Sequence, residues 1–413
     1  MSSEVAEMTR PMAAVPEGWR SCKLGEVAVL GGGTTPPRAT EAYWLDATIP
    51  WATPSDITSL PVGASSISST ESRVSDRALA ECSLPLNPPG TVLMTSRATI
   101  GFAAINAVPM TTNQGFITFK AGERLDPAFL LHWLKASRLD LVAAAGGSTF
   151  KELSRGTAKL LPILLPPLDE QRRIAEVLRS VDEAIAATYR LAWQTDELWH
   201  MMAETAIWQL TVTRPDCVLP LSQAILASDY GVNASLTSEP LGQAILRMGN
   251  IQDGQIDPTD MKWAVIQEGE AKALALDVGD ILFNRTNSRD LVGKVALVRE
   301  PTDCLYASYI VRLRMNDAVA DPYYVFAVMH SRRAQAQFKS IATPGVSQSN
   351  INPTNLKKQM IPLPSLGEQQ KIAAQLRAVE VTRQSLRHEL IVLRQIKADV
   401  MSDLLCGHVR VPS

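Results

Sequence analysis

Two stretches of this 413-residue chain place apolar residues at alternating spacings of four and three. In the first, Ile174, Leu178, Val181 and Ile185 lead on to Ala192, Trp199, Met202 and Ala206. In the second, Ile372, Leu376 and Val379 lead on to Leu386, Leu390, Leu393, Val400 and Leu404. A period near 3.5 held over several heptads predicts long helices with a coiled-coil seam. Thr188 and Thr195 interrupt the first seam, and Arg383 and Lys397 the second. Each helix is expected to start behind prolines, with Asp169, Glu170 and Glu368 in the first turns, where acids suit the helix dipole. The first is expected over 169–213, giving way at Thr211-Val-Thr-Arg-Pro215; the second, with a C-terminal tail, takes 367–413 and stops at Gly407. From Ile174 to Ala206 the seam runs about 50 Å at ~1.5 Å per residue. No small domain covers such a stripe alone. The two helices are therefore expected to pack on each other, antiparallel, with a mixed domain at each end.

The remaining sequence alternates short β-like runs (Thr91–Met94, Gly115–Phe119, Asp280–Phe283, Tyr309–Leu313) with loops rich in Gly, Pro, Thr, Ser and Asn. It divides into domains at 16–168 and 214–366, behind a short frayed tail at 1–15. The chain is also written twice. Leu165-Pro-Pro-Leu-Asp-Glu-Gln-Arg-Arg-Ile-Ala-Glu-Val-Leu178 returns as Leu363-Pro-Ser-Leu-Gly-Glu-Gln-Gln-Lys-Ile-Ala-Ala-Gln-Leu376, so that Glu170 matches Glu368 and Gln171 matches Gln369. Gly90-Thr-Val-Leu-Met-Thr-Ser-Arg97 is echoed by Gly279-Asp-Ile-Leu-Phe-Asn-Arg-Thr286, and Asp126-Pro127 by Asp321-Pro322. The expected fold is α+β: a tandem duplication in which two α/β domains are joined by two long antiparallel coiled-coil helices, with pseudo-twofold symmetry.

Composition narrows the class without deciding the function. With 46% hydrophobic and 20% charged residues the chain is globular, not disordered, and it is too long for one core. No apolar run reaches ~20 residues, and Met1 to Val15 lacks a secretory pattern, so a cytoplasmic protein with no membrane partner is expected. Five scattered cysteines without a CxxC pair, and few histidines, argue for reduced thiols and no metal site. A net charge of −2 counts against a self-sufficient nucleic-acid binder. The run from Arg332 to Lys358, which carries Arg333, Lys339 and Lys357 and no acid, reads either as a basic patch or as a solvated face.

Several motifs imitate catalytic ones. Asn87-Pro-Pro-Gly90 resembles a methyltransferase NPP motif but lacks the aromatic residue, and reads better as a turn. Asp321-Pro-Tyr-Tyr324 is better read as a helix start, and Glu270-Ala-Lys272, half of a nuclease motif, as a surface helix turn. Gly31-Gly-Gly33 and Gly293-Lys294 match no phosphate-binding loop, and no catalytic residue is assigned. Recognition chemistry is better represented. The run Asn284, Arg285, Thr286, Asn287, Ser288, Arg289 puts six hydrogen-bonding side chains directly after a predicted strand; Arg suits guanine, Asn suits adenine, and Ser and Thr suit phosphates. The first-half counterpart is shorter: Thr95, Ser96, Arg97 and Thr99. Thr34, Thr35 and Arg38, Asn113 and Gln114, and Lys151 and Gln348 in the glycine-bearing loops at 146–151 and 345–350, are further candidates. Each set could instead be a polar turn capped locally. Trp44 and Trp51 are expected to pack beneath a loop. Glu170, Gln171, Glu368 and Gln369 read either as helix capping and loop anchoring or as partner-docking residues.

At this point the residues match a family. The doubled Pro-Leu-x-x-Glu-Gln-x-x-Ile-Ala pattern, Gly31-Gly-Gly-Thr with Ile49-Pro-Trp-Ala-Thr-Pro-Ser-Asp56, Leu246-Arg-Met-Gly-Asn-Ile251 and Gly279 to Ser288 resemble the specificity subunits of type I restriction–modification enzymes. The resemblance covers about Pro16 to Val411. It implies two target-recognition domains, each reading half of a split double-stranded DNA site, and helices that set the spacing and dock two methyltransferase subunits. Restriction/translocase subunits complete such a complex. S-adenosylmethionine, ATP and magnesium would belong to those partners, and none to this chain. The competing expectations are a coiled-coil scaffold without DNA readout, or a degenerate DNA methyltransferase or nuclease.

Overall fold

Prolines set the starts of both long helices, because the chain cannot run backwards into a helix through them. Helix α1 spans Leu168–Ala203 and helix α2 spans Leu366–Cys406. The computed structural model describes residues 15–147, 151–345 and 348–411, so the expected tail lies almost wholly outside them. The chain divides into two units, one of Met1–Leu191 with Leu386–Ser413 and one of Ala192–Ser385, so each takes part of both long helices.

The first unit is built on a sheet of β1 (Ala28–Gly32), β2 (Ser66–Ile67), β3 (Val92–Thr95), β4 (Ala103–Asn106) and β5 (Phe116–Ala121), in the order β1-β5-β3-β4-β2. The second is built on β6 (Ile225–Tyr230), β7 (Ile281–Asn284), β8 (Val295–Leu297) and β9 (Ile310–Met315), in the order β6-β9-β7-β8. Apart from β2 the two orders are the same, and every one of these shared pairings is antiparallel. The central strands β3 and β7 are buried throughout, which is why their sequences run apolar without alternation. A second layer repeats as well: Trp51 and Ala52 pair in parallel with Thr111 and Thr112, as Ile245 and Leu246 do with Leu305 and Tyr306.

Helix Pro127–Ala136 covers the first sheet and helix Pro322–His330 the second. Each begins on an Asp-Pro step whose carboxylate accepts from the first turn: Asp126 from Ala128 and Phe129, and Asp321 from Tyr324. The long helices then close each core. Ile174 and Leu178 from α1 join Leu404 and Leu405 from α2 in the first, and Trp199 and Ala203 join Ala373 and Leu376 in the second.

Within each unit the helices run antiparallel, as expected. In the first unit Asp182 meets Lys397 at 2.5 Å and Thr188 meets Glu389 at 3.2 Å; in the second Asp196 meets Arg383. The seam interruptions Thr188, Arg383 and Lys397 thus each face a polar partner on the other helix. Arg383, 2% exposed, also bonds Glu380 at 2.7 Å and lies 5.0 Å from the Trp199 ring. Such matched polar pairs penalise any slipped register, since a shift would bury a charge alone. One detail departs from the periodicity. After Ala203 the first helix widens into a π-helical turn over Glu204–Trp208, so Ile207 and Trp208 are buried where Ala206 was expected. Trp208 Nε1 donates to Ser331 Oγ at 2.8 Å, which holds the widened turn.

Candidate nucleic-acid interface

The loop after each central strand hangs on the same backbone frame. In the first unit Thr95 N–H donates to Phe102 O (2.8 Å) and Gly101 N–H to Thr95 O (3.0 Å); in the second Asn284 N–H donates to Lys294 O (2.8 Å) and Gly293 N–H to Asn284 O (2.9 Å). One residue on, Ser96 N–H donates to Gly115 O and Arg285 N–H to Tyr309 O. The carbonyls of Ser96 and Arg285 accept in turn from Leu153 and Ile351. Both loops close on a glycine at positive φ, 86° at Gly101 and 91° at Gly293. A Cβ there would approach Arg138 Cγ to 2.9 Å or Phe338 Cβ to 3.1 Å.

In the second unit this frame overturns part of the expected reader set. Asn284 is completely buried at the end of β7, with neither side-chain polar atom partnered among the described residues, so it cannot reach a base. Asn287 is buried too, and its Oδ1 accepts from Ser288 N–H at 2.8 Å. Thr286 Oγ1 accepts from Asn350 Nδ2, and Arg285 donates to Asn350 Oδ1 at 3.1 Å while lying 5.2 Å from the Tyr230 ring. Ser288 and Arg289 are exposed, and the Arg289 guanidinium makes no hydrogen bond or ion pair among the described residues. Gln348 is exposed; its neighbours Val346 and Ser347 lie outside the described residues.

In the first unit the structure gathers candidates from three separate segments. Thr34, Ser96, Arg97 and Gln114 line one open cleft of 660 Å³, together with Glu152 and Arg155. Its floor is Gly31-Gly32-Gly33. A Cβ on Gly33 would stand 2.0 Å from Thr112 O, and one on Gly31 2.7 Å from Thr118 Oγ1. Gly231 repeats the close approach in the second unit, 2.0 Å from Tyr306 O. Thr95 is buried against Thr99 O and Phe102 O, and Ser96 is buried at the cleft wall, so both belong to the frame. Arg97 is exposed and paired with Glu152 at 2.8 Å. Thr35 donates to Gln114 Oε1, and the Asn113 side chain accepts from Gly115 N–H at 2.8 Å. Arg38 stacks on Trp44 at 4.0 Å and lies 5.2 Å from Trp51. The two indoles donate to Pro37 O and Thr34 O, and so pack beneath the loop as expected. Lys151 is exposed beside Ser148 to Phe150, which lie outside the described residues.

The Glu-Gln pairs at the helix starts turn inwards. Gln171 accepts from Asp126 N–H and donates to Arg124 O and Pro166 O; Gln369 accepts from Asp321 N–H and donates to Val319 O and Pro364 O. Both are completely buried, which corrects the docking expectation for these two side chains. Glu170 is also buried, held by Trp19 Nε1 and the Arg410 guanidinium. Glu368 is partly exposed, caps Ser365 and pairs with Arg214 at 3.1 Å. Capping and loop anchoring account for all four.

The basic run from Arg332 is partly engaged inside its own unit, since Arg332 pairs with Glu197 and Arg333 lies 4.9 Å from the Trp208 ring. Among the described residues no cluster of His, Cys, Asp and Glu is arranged to hold a metal, and no helix is long and apolar enough to cross a membrane. Asn87, the first residue of the NPP-like step, is buried and donates to Met110 O.

Comparison with known proteins bears on this arrangement. The family model described as "Type I restriction modification DNA specificity domain" matches residues 16–191 and 234–394. The MjaIX specificity subunit of Methanocaldococcus jannaschii is 37% identical over 173 residues, covering 41% of this chain and 39% of that protein. A second specificity subunit of that organism, MjaX, is 34% identical over 42% of this chain and 41% of its own length. The chain thus spans about two-fifths of either relative. The EcoKI specificity subunit of Escherichia coli is 22% identical over 87% of this chain and 81% of its own. In fold, the chain is similar to the crystal structure of a type I S subunit from M. genitalium, with a TM-score of 0.60 and 14% identity over 96% of this chain and 99% of that one.

Proposed function

The chain belongs to the type I restriction modification DNA specificity family, and on that premise we propose that it is a non-catalytic subunit that reads DNA for partner enzymes. Each unit reads one half of a split, asymmetric double-stranded site. The observation that carries this reading is the repeated frame: the same backbone bonds hold a loop after β3 and after β7, while the side chains at the loop rims differ. A shared frame with unlike rims is what two different half-sites require.

Readout in the first unit falls to Thr34, Arg97, Gln114 and Arg38, which stand on or beside the cleft. In the second it falls to Arg289, with Ser288. The long helices dock two methyltransferase subunits and set the gap between half-sites, and a restriction/translocase subunit joins the full complex. S-adenosylmethionine, ATP and magnesium are held by those partners. The relatives named as type I specificity subunits support this reading. The near-neutral charge fits it, because a subunit working inside an assembly can leave much phosphate neutralisation to its partners. The test is to co-purify the chain with its methyltransferase partner, map the adenines methylated, and then exchange residues 16–160 for the corresponding part of a relative. One half-site should change and the other persist. A change in both halves, or methylation without sequence preference, would sink the proposal.

A further inference from the structure

Strand register gives a residue-by-residue correspondence between the units. Gly32 pairs with Ile117, and Tyr230 pairs with Val311; Ile117 pairs with Met94, and Val311 with Phe283. Gly32 and Tyr230 therefore hold the same place at the outer corner of their sheets. A guanidinium stands over that corner in both units. Over Gly32 it is Arg155, whose Cδ and Cζ lie 3.7 and 3.8 Å from where a Cβ would be. Over Tyr230 it is Arg285, 5.2 Å from the ring. The two arginines come from different segments: Arg285 sits on the loop after β7, at the position Ser96 takes in the first unit, whereas Arg155 follows Leu153. Neither sequence position nor strand register pairs the two arginines; what they share is the corner over which each stands.

Their packing differs, but neither is paired with a carboxylate among the described residues. Arg155 is exposed on the cleft wall and makes no hydrogen bond or ion pair among the described residues, unlike its cleft neighbour Arg97. Arg285 is steered by Asn350 Oδ1 and pairs with no carboxylate among the described residues. We propose that Arg155 and Arg285 are positional equivalents, one in each unit, and that each grips a DNA phosphate. This rests on the DNA-reading function above. A contact kept in place while the neighbouring loop side chains differ serves the part of DNA that does not vary with sequence, which is the backbone.

The test is the salt dependence of DNA binding by the chain in complex with its methyltransferase subunits. Targets matched at both half-sites are compared with targets varied one base at a time. Arg155→Ala and Arg285→Ala should each weaken binding to all targets alike and lower the slope of log K against log salt by about one. Arg155→Lys and Arg285→Lys keep the charge and should recover most of the affinity, which a bidentate base contact would not. Unchanged thermal midpoints keep a folding defect from imitating the result; should Arg285→Ala disturb its loop, Arg155→Ala and the two Lys variants still decide. A changed preference at a single base position, or an unchanged slope with full affinity, overturns the proposal. If the unaltered complex itself shows no sequence preference, the reading of function fails with it.

Discussion

The loops after β3 and β7 share their hydrogen bonds but not their reach. Gly101 follows Thr95 by six positions, whereas Gly293 follows Asn284 by nine, and the longer loop carries Ser288 and Arg289 out to solvent. In the first unit the short loop stays low, and the surface beside it is a cleft over three glycines. The second unit has Tyr230 and Arg285 where the first has Gly32 and Ser96. One frame therefore supports an open cleft in one copy and a projecting loop in the other. Buried backbone bonds held the duplicated frame constant, while side chains at its rim were free to diverge.

The helix seams offer the largest expected difference between the units. Arg383 is almost wholly buried against Glu380 and Asp196, so Arg383→Ala removes the buried cation that both carboxylates share and should destabilise the second unit by about 3–5 kcal/mol. Lys397 keeps partial access to water beside Asp182, and Lys397→Ala should cost the first unit only about 1–3 kcal/mol. Unit-resolved hydrogen exchange under rising denaturant measures both, and equal losses would erase the contrast. The Gln clamps should behave alike instead. Gln171→Ala and Gln369→Ala each orphan three backbone groups, for an expected loss of about 3 kcal/mol in the respective unit.

Acid should act on the two units through different histidines. Burial, reinforced by Lys135, pushes the His132 imidazole down to about 4 from its ordinary 6.5, and the matching position in the second unit is Ala327. The folded state thus binds fewer protons here than the unfolded chain. Stability is full above pH 6.5 and falls as pH drops towards 4, by about 3 kcal/mol for a shift of this size. Burial also lowers the His200 imidazole, so the second unit should follow the same sign by another route. Replacing His132 by Ala should flatten the acid limb of the first unit, as read from unfolding midpoints between pH 7 and 4.5. The smallest effects concern readout. Arg289→Ala should relax preference in the second half-site only, by about 1–3 kcal/mol at one position. Gly32→Tyr meets no atom closer than 3.5 Å at its Cβ and should fill the first cleft, weakening only the first half-site. Methylation assays on base-varied targets report both.

Much of the fold could be read from sequence because it follows from periodicity and repetition. The heptads located both helices, the Asp-Pro steps located the helices beneath the sheets, and Glu-Gln marked the helix starts. The π-helical turn at Glu204–Trp208 was not visible, since it exists to turn Trp208 towards Ser331, a partner 123 residues away. Candidate readers were half legible. Chemistry singled out Asn284, Thr95 and Ser96, but a polar residue at a strand end can belong to the frame as readily as to the rim, and burial decides between them. Arg155 was missed because nothing around it in sequence marks a cleft; only the sheet brings it to Gly32.

The split of the long helices between the units governs the order in which a growing chain can complete them. Ala192–Ser385 is one uninterrupted stretch, so the second unit has all its parts as soon as that stretch is made. The first unit does not, although most of it is synthesised earlier. Leu404 and Leu405 fill its core and Arg410 neutralises Glu170, and all three arrive after the whole second unit. During that interval Ile174 and Leu178 stand with part of their cover missing. Closing the unit then requires a contact across more than half the sequence, the kind of late, long-range step that slows folding and leaves apolar surface open to chaperones. The earliest-made unit is the last one finished.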